Sequence, residues 1–322
     1  MTALRRLSWL SLILGVGHVV FGAIVRITGS GMGCGDHWPK CLGHWVPPFD
    51  RPDLIIEVTH RYFAATLSLA IVVLLLVAIL RRRSPGVGGP GGVLRPAALA
   101  TALVVTAAVF GGVTVKLELE NKLVIVTHLA IAMALLAVLV STVMRAGGLG
   151  GASTTLGAAS LKSWRGARAA MELTFAVLVL GAFTAHVPGA NGSCAGFPLC
   201  RGSLLPGPMQ HIQFTHRILA FLLFFHLLGL MIGVRRRGEA PLIIRAAVVA
   251  FGAVLAQILI AAAMVEMQLP AQLRSAHQAV GTLVWVIIVT FALLCRRGAL
   301  GVGVPATLTA PRPTLRAAEV AT

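Results

Sequence analysis

One histidine motif occurs twice in this chain, and a second histidine follows each copy. Residues 57–61 read Glu-Val-Thr-His-Arg, and residues 213–217 read Gln-Phe-Thr-His-Arg. A second histidine follows each motif at the start of an apolar run, His128 after the first and His277 after the second. Imidazole binds transition metals and transfers protons near neutral pH. The repeat therefore predicts two related sites that bind a metal centre or move protons.

The segments that carry these histidines are long enough to cross a membrane. The chain is 57% hydrophobic and 11% charged, which is outside the usual range of soluble domains. Apolar runs of about 20 residues, the length that spans the hydrocarbon core, occur at eight places. They lie at roughly 7–27, 60–80, 97–115, 123–144, 170–187, 212–234, 246–267 and 277–295. The sequence therefore predicts an all-α integral membrane protein with eight transmembrane helices.

The distribution of basic residues predicts the orientation in the membrane. Arginine clusters at 81–83, 235–237 and 296–297 each follow an apolar run directly. Cytoplasmic loops carry an excess of Lys and Arg, so we expect a multi-pass protein of the cell membrane with both termini in the cytoplasm. The same distribution accounts for the net charge of +17, and no nucleic-acid partner is expected.

The repeat divides the chain into two halves of four spans. Residues 1–145 form the amino-terminal half and 170–297 the carboxyl-terminal half, with a cytoplasmic linker at 146–169 and a disordered tail at 298–322. Both halves start on the same side of the membrane, so the repeat is parallel and its axis lies along the membrane normal. We therefore expect two tandem four-helix bundles related by pseudo-two-fold symmetry, an architecture that holds cofactors between facing helices.

Each motif is preceded by a loop with two cysteines, which the topology places on the outer face. That compartment permits disulfides, and the short spacing within each loop favours them. A zinc site that includes His37 and His44, or free thiols, are the alternatives. A fifth cysteine, Cys295, is expected to be a packed free thiol. The expected disulfides are Cys34–Cys41 and Cys194–Cys200.

We expect four histidines near the outer ends of spans two, four, six and eight: His60, His128, His216 and His277. These four are the motif histidines. Within each half the two spans run parallel, so their histidines lie at similar depth. Two facing imidazoles in a four-helix bundle form the axial pair of a haem. Zinc would need more ligands, and a proton relay would need more carboxylates. We therefore predict two haem sites, His60 with His128 and His216 with His277. The other histidines are expected to pack or to face solvent: His18, His37, His44, His186, His211 and His226.

The arginine after each first histidine is a candidate partner for haem propionates. Arg61 and Arg217 are expected at the membrane–water boundary, where a guanidinium matches a carboxylate in a bidentate pair. The alternative is an interaction with lipid headgroups. Arg26 and Arg274 are weaker candidates for the same role.

One difference between the two motifs predicts different roles for the two sites. Glu57 stands where the second motif has Gln213. Glu57 lies three residues before His60, on the same helix face, and a carboxylate beside a haem can accept a proton. Glutamine cannot, so Glu57 is the candidate catalytic residue. The alternative is that Glu57 only caps the start of the second span.

Together these residues resemble the haem A synthase family. The resemblance covers about 1–297 and rests on the eight spans, the two motifs, His128, His277 and the paired loop cysteines. It implies oxidation of a methyl group of haem O to a formyl group, which makes haem A for terminal oxidases. It also implies that His216 and His277 hold a haem B cofactor, whereas His60 and His128 bind the substrate haem O with Glu57 near its reacting methyl.

The resemblance leaves several points open. Some members of the family have a disulfide at the position of Cys34 and Cys41 and others lack it, so these cysteines need not be catalytic. Membrane lipid, haem O and the enzyme that makes haem O are the expected partners, while the electron donor and a homo-oligomer are not identified by the sequence. A dihaem electron carrier and a haem transport or chaperone protein are the alternative functions.

Overall fold

The computed structural model describes residues 1–37, 39–200 and 207–301. Over this part of the chain the fold consists of eight long α-helices, as the sequence predicts, and a short 3-10 turn at Ser30–Met32. The disordered tail is predicted at 298–322. Residues 298–300 belong instead to the last helix, and 302–322 lie outside the described residues. The helices are α1 (Thr2–Ile27), α2 (Pro52–Leu80), α3 (Leu94–Lys116), α4 (Lys122–Arg145), α5 (Leu161–His186), α6 (Pro208–Arg236), α7 (Pro241–Glu266) and α8 (Ala271–Leu300).

Local sequence signals explain where several helices begin. Proline opens α2, α6 and α7, because its fixed φ suits the first turn and its missing N–H is not needed there. The Asn121 side chain caps α4 by accepting a hydrogen bond from the Val124 N–H at 3.1 Å. Ser160 caps α5 by accepting from the Ser163 N–H at 3.2 Å. These caps satisfy backbone donors that a helix start leaves free.

All eight helices are long and apolar enough to cross a membrane. Large apolar side chains are exposed on their outward faces, among them Leu69, Val109, Phe225 and Leu259. Contact of such side chains with lipid tails is favourable, whereas their contact with water is not. The chain is therefore a multi-pass membrane protein.

The helices pack into two closed groups that meet along one seam. In the first group α1, α2, α3 and α4 contact one another in ring order, and α5, α6, α7 and α8 do the same in the second. Small residues allow the close contacts, since a Cβ at Gly15 on α1 would lie 2.9 Å from Leu136 of α4. The seam is formed by α1 and α4 from one group with α5 and α8 from the other.

Two buried hydrogen bonds join α8 to α4 across this seam. Trp285 Nε1 donates to the Met133 carbonyl at 2.7 Å, and Arg297 Nη1 donates to the Met144 carbonyl at 3.2 Å. A large apolar cluster containing Leu136, Leu139 and Phe291 surrounds the seam. Because a buried polar group without its partner costs about 1–3 kcal/mol, these bonds fix the register of the two helices.

The segment between α4 and α5 packs against the second group of helices. The α5 helix begins at Leu161, before the predicted start of this half at 170. Ahead of it, the Gly157 N–H donates to the Gly298 carbonyl at 2.7 Å, and the Ala158 carbonyl accepts from the Ala240 N–H at 3.1 Å. The glycine-rich composition suggests a flexible linker, but here the small residues permit close backbone contacts.

Candidate functional site

The four motif histidines lie inside their helices at matching depths in the two halves. His60 is eight residues beyond Pro52, and His216 is eight residues beyond Pro208. His128 and His277 each lie six residues beyond the first residue of their helices, α4 and α8. With a rise of 1.5 Å per residue these distances are about 12 and 9 Å. The histidines therefore lie about two turns below the helix starts, deeper than the apolar runs predict.

His216 is held in a defined orientation in the carboxyl-terminal half. Its Nδ1 donates a hydrogen bond to the Val177 carbonyl on α5 at 3.1 Å. A Cβ at Gly181, one turn further along α5, would lie 2.9 Å from the ring, so glycine makes room for the imidazole. With its proton on Nδ1, the ring keeps the Nε2 lone pair for a metal.

His277 is held by a glutamine on the neighbouring helix. The Gln257 side-chain N–H donates to the His277 backbone carbonyl at 2.9 Å and lies 3.1 Å from Nδ1 of the ring. A Cβ at Gly281 would lie 3.1 Å from the same amide nitrogen. His277 also interacts electrostatically with His216. The structure therefore brings the second predicted pair together, and both members are anchored.

The amino-terminal pair is surrounded differently. His60 packs against α1, where a Cβ at Gly22 would lie 3.1 Å from Nε2, and a Cβ at Gly111 on α3 would lie 3.4 Å from His128. The backbone of Ala107 lies beside the His128 ring, but Nδ1 has no partner of hydrogen-bond geometry among the described residues. His60 interacts electrostatically with His128, so the structure also brings this pair together.

His18 joins the amino-terminal pair as a third imidazole. Its ring stacks on that of His60 with centroids 4.2 Å apart and planes inclined by 21°, and it interacts electrostatically with His128. The sequence predicts that His18 packs against another helix through one hydrogen bond. The packing is present, but within the described part of the chain its buried Nδ1 has no hydrogen-bond partner.

The first residue of each motif fastens the preceding cysteine loop to its helix. Glu57 Oε2 accepts a hydrogen bond from the Cys34 N–H at 2.8 Å, and Gln213 Oε1 accepts from the Cys194 N–H at 3.0 Å. The alternative in which Glu57 caps α2 is wrong, because Arg51 occupies the cap position. Both side chains are buried, with 4% of Glu57 and 6% of Gln213 exposed. The two motifs therefore share a structural contact, and only Glu57 adds a charge.

The arginines of the motifs hold the same loops. Arg61 forms an ion pair with Glu57, and its Nη1 donates to the His37 carbonyl at 2.7 Å. Arg217 Nη1 donates to the Gly196 carbonyl at 2.7 Å, and its Nη2 donates to the Cys194 carbonyl at 2.8 Å. Each guanidinium thus lies between its histidine-bearing helix and the cysteine loop before it.

Both cysteine loops are closed by disulfides. The structure joins Cys34 to Cys41 and Cys194 to Cys200, while Cys295 is free and buried. The first loop also reaches α3, where Lys116 Nζ donates to Asp36 at 3.2 Å. This hydrogen bond and the lysine charge lower the pKa of the Asp36 carboxyl.

Removing the first disulfide should destabilise the end of the amino-terminal half that carries the first cysteine loop. A Cys34→Ser/Cys41→Ser variant should lose about 2–3 kcal/mol of free energy of unfolding, because the loop is no longer constrained in the unfolded state. We expect the midpoint of thermal unfolding in detergent to fall by roughly 5 °C. Wild-type protein treated with reductant is the control and should fall similarly. A variant that melts with the oxidised wild type would contradict the expected role.

The remaining candidate histidines bond to backbone carbonyls or are exposed, and the two remaining arginines lie near each other. His226 Nε2 donates to the Gly166 carbonyl at 2.9 Å, and His186 Nδ1 donates to the Ala182 carbonyl at 2.8 Å. His37, His44 and His211 are exposed. Arg26 of α1 and Arg274 of α8 interact with each other electrostatically, which places two positive charges from the two halves close together.

Sequence comparison identifies the family of this chain. The sequence model of the COX15-CtaA family, described as cytochrome oxidase assembly protein, matches residues 5–289. The chain belongs to the COX15-CtaA family. Its match begins within α1 and ends within α8, so both histidine pairs, both motifs and both disulfide loops lie inside the family region.

Several curated proteins are similar to this COX15-CtaA member over most of its length. Heme A synthase of Alkalihalophilus pseudofirmus is 30% identical over 249 residues, which cover 71% of this chain and 76% of that protein. Heme A synthase of Geobacillus kaustophilus is 30% identical over 267 residues, which cover 80% of this chain and 81% of that protein.

A protein with a different name matches a shorter region. Protoheme IX farnesyltransferase of Thermus thermophilus is 34% identical over 145 residues, or 44% of this chain. The match covers only 24% of that relative. It therefore shows similarity to one part of a longer protein.

Sequence reasoning missed two residues of this COX15-CtaA member's site. Gln257 is a polar residue within a long apolar span, and such residues usually face the interior of a helical bundle. That signal could have identified Gln257, but it could not reveal that the amide meets His277. The contact between His18 and His60 depends on how α1 packs against α2, and sequence spacing does not determine it.

Proposed function

We propose that this chain is a haem A synthase that oxidises a methyl group of haem O to a formyl group, making haem A for terminal oxidases. The main support for the proposal is a structural difference between two sites that otherwise match. One has two anchored histidines, and the other has unanchored histidines beside the buried carboxylate Glu57. The similarity to proteins named heme A synthase supports the same reading.

We assign His216 and His277 as the residues that would hold haem B. Two observations support the fit. His216 Nδ1 donates a hydrogen bond to the Val177 carbonyl, which leaves the Nε2 lone pair to bind iron. Glycine at 181 leaves room for the ring. Haem B bound there would supply one-electron transfer. The fixed orientation of both imidazoles suits a cofactor that stays in place throughout the reaction.

We assign His60 and His128 as the residues that bind haem O. Two observations support this assignment. The buried Nδ1 of His128 has no hydrogen-bond partner among the described residues, and glycines beside both rings leave space for an incoming ligand. Glu57 lies one helical turn before His60 and is proposed to accept a proton at its carboxylate as the methyl group is oxidised. Its ion pair with Arg61 fixes the carboxylate in position.

The proposed architecture is a pair of four-helix bundles related by an axis along the membrane normal. The ring order of contacts in each group of four helices and the equal depths of the histidines support it. We also propose that both termini are cytoplasmic and that the disulfide loops face outward, as the arginine clusters at the opposite ends of the helices indicate.

The arginines near the outer ends are proposed to attract the haem propionates. Arg61 and Arg217 donate to loop carbonyls, and their charge would still favour a carboxylate nearby. Arg26 and Arg274 place two further positive charges at the seam between the halves. An anion bound there would relieve the repulsion between them.

We propose that the substrate is received from the enzyme that makes haem O. The Thermus thermophilus relative named protoheme IX farnesyltransferase contains a region similar to 44% of this chain, which supports a close working relationship between the two activities.

The proposed activity can be tested by analysis of extracted haems. The full chain would be expressed together with a source of haem O, and the bound haems would be extracted and identified by mass. Haem A or its hydroxylated precursor is the expected product. Recovery of only haem O and haem B from intact, haem-loaded protein would favour a transport or electron-carrier function and contradict the proposal.

Filling the space beside His216 should weaken binding of the cofactor haem. In Gly181→Ala the new Cβ would lie 2.9 Å from the ring, which forces the imidazole from its place at a cost of about 1–3 kcal/mol. Haem B affinity should fall by about 10-fold or more, measured by titration of the low-spin absorption. Gly229→Ala on α6 is the control, since a Cβ at this position would meet no side chain of the described residues within 4 Å. Equal affinity in both variants would argue against the assigned ligand.

A further inference from the structure

The amino-terminal site contains one more nitrogen donor than its counterpart. Gly22 lies beside His60, and Gly181 lies beside His216, so these glycines occupy equivalent places in the two halves. Four residues earlier, one turn away on the same face, stands His18 in the first half and Val177 in the second. The valine contributes only its backbone carbonyl, whereas His18 contributes an imidazole.

This replacement changes how the first histidine of each half is held. His216 donates to the Val177 carbonyl. His60 instead lies in a stack with His18, at 4.2 Å between ring centroids, with Phe63 against the edge of the His18 ring at 5.6 Å. Ring stacking holds the plane of His60 without directing either of its nitrogens. His60 can therefore leave its position at lower cost than His216 can.

The buried nitrogen of His18 is the second observation. Its Nδ1 has no hydrogen-bond partner within the described residues. A buried polar atom without a partner costs about 1–3 kcal/mol, and native proteins usually supply one. Around it lie the rings of His60 and Phe63 and, within electrostatic range, His128. The groups expected to bind the haem therefore surround the unpaired nitrogen.

We propose that His18 is an alternative axial ligand of the amino-terminal haem, which binds the iron when His60 does not. The inference rests on the proposed function, because it requires haem in this site. Because the two rings lie face to face with centroids 4.2 Å apart, His18 places an imidazole directly beside the position that His60 would vacate. The iron can then lose one imidazole without losing its hold on the protein, which suits a site that must accept a substrate and release a product.

The proposal can be tested by counting low-spin haems in full-length protein loaded with ferric protoporphyrin IX. The wild type should contain about two bis-histidine haems per chain by electron paramagnetic resonance. His60→Ala should retain about two, because His18 takes the vacant position. His60→Ala/His18→Phe should retain about one, since phenylalanine keeps the stacking surface but offers no nitrogen.

His216→Ala is the matched control, because valine stands at the equivalent position of that half. It should fall to about one low-spin haem as a single variant. In every variant the haem of the unaltered half reports that the protein is folded. A His60→Ala protein that falls to one low-spin haem, as His216→Ala does, would overturn the inference. A wild type with fewer than two would instead contradict the proposed haem sites and the inference with them.

Discussion

Glu57→Gln protein is expected to bind haem O and haem B but to form almost no oxidised product. The substitution removes the proposed proton acceptor, and general acid–base groups typically contribute about 10²–10⁴-fold in rate. Product formation should therefore fall by about 100-fold or more. Extracted haems identified by mass measure the product, and the absorption spectrum of the purified protein measures haem content.

The carboxyl-terminal half shows why glutamine is the right replacement at this position. Gln213 accepts a hydrogen bond from the Cys194 N–H at 3.0 Å, much as Glu57 accepts from the Cys34 N–H at 2.8 Å. A glutamine at 57 can therefore keep the loop fastened while it removes the charge. Loss of activity with unchanged haem content then reports the carboxylate itself.

The opposite exchange provides the control for this experiment. Gln213→Glu places a carboxylate in the half proposed to hold haem B, near Arg217, as Glu57 lies near Arg61. It should leave product formation in place, because we propose that the substrate is oxidised in the other half. Full activity of Glu57→Gln would contradict the catalytic role and leave Glu57 as a structural residue of the first loop.

The second large effect is expected from His277→Ala, which should abolish the low-spin spectrum of haem B and product formation with it. Alanine removes one proposed ligand of haem B and leaves the Gln257 amide, which lies 3.1 Å from the ring nitrogen, without that neighbour. A haem held by a single imidazole becomes high-spin and is bound more weakly. Optical and electron paramagnetic resonance spectra measure both changes.

His226→Ala is the control for this variant. His226 lies in the same half and donates to the Gly166 carbonyl at 2.9 Å, away from the proposed haem. Its spectrum should match that of the wild type. A His277→Ala protein with an unchanged low-spin spectrum would place the haem B ligands elsewhere.

The eight helices were predictable because a membrane span leaves a long apolar run in the sequence. Their starts were not, because the first two turns of α2 and α6 carry charged and polar side chains such as Asp53, Glu57 and Gln210. An apolar window excludes these turns, although they are helical. The histidines therefore seemed to stand at helix starts, whereas they lie about two turns inside.

The histidine pairs and the cysteine pairs could be identified from the repeat, since repeated spacing shows which residues correspond. The contacts between helices could not. Nothing in the spacing indicates that Arg61 donates to carbonyls of the first loop, that Gln257 meets His277, or that His18 stacks on His60. Each depends on which helix faces which, and that is determined by side-chain packing along the whole bundle.

The bond from Trp285 to the Met133 carbonyl has a consequence for communication between the two halves. It joins α8 to α4 in the buried seam, and these two helices carry His277 and His128. Breaking such a bond in an apolar interior is costly, so the two helices keep one relative position. The packing of α4 against α8 then sets the separation between His128 and His277. Electrons passing between haems held at the two proposed sites would travel over that set distance, with no need for the halves to open and close.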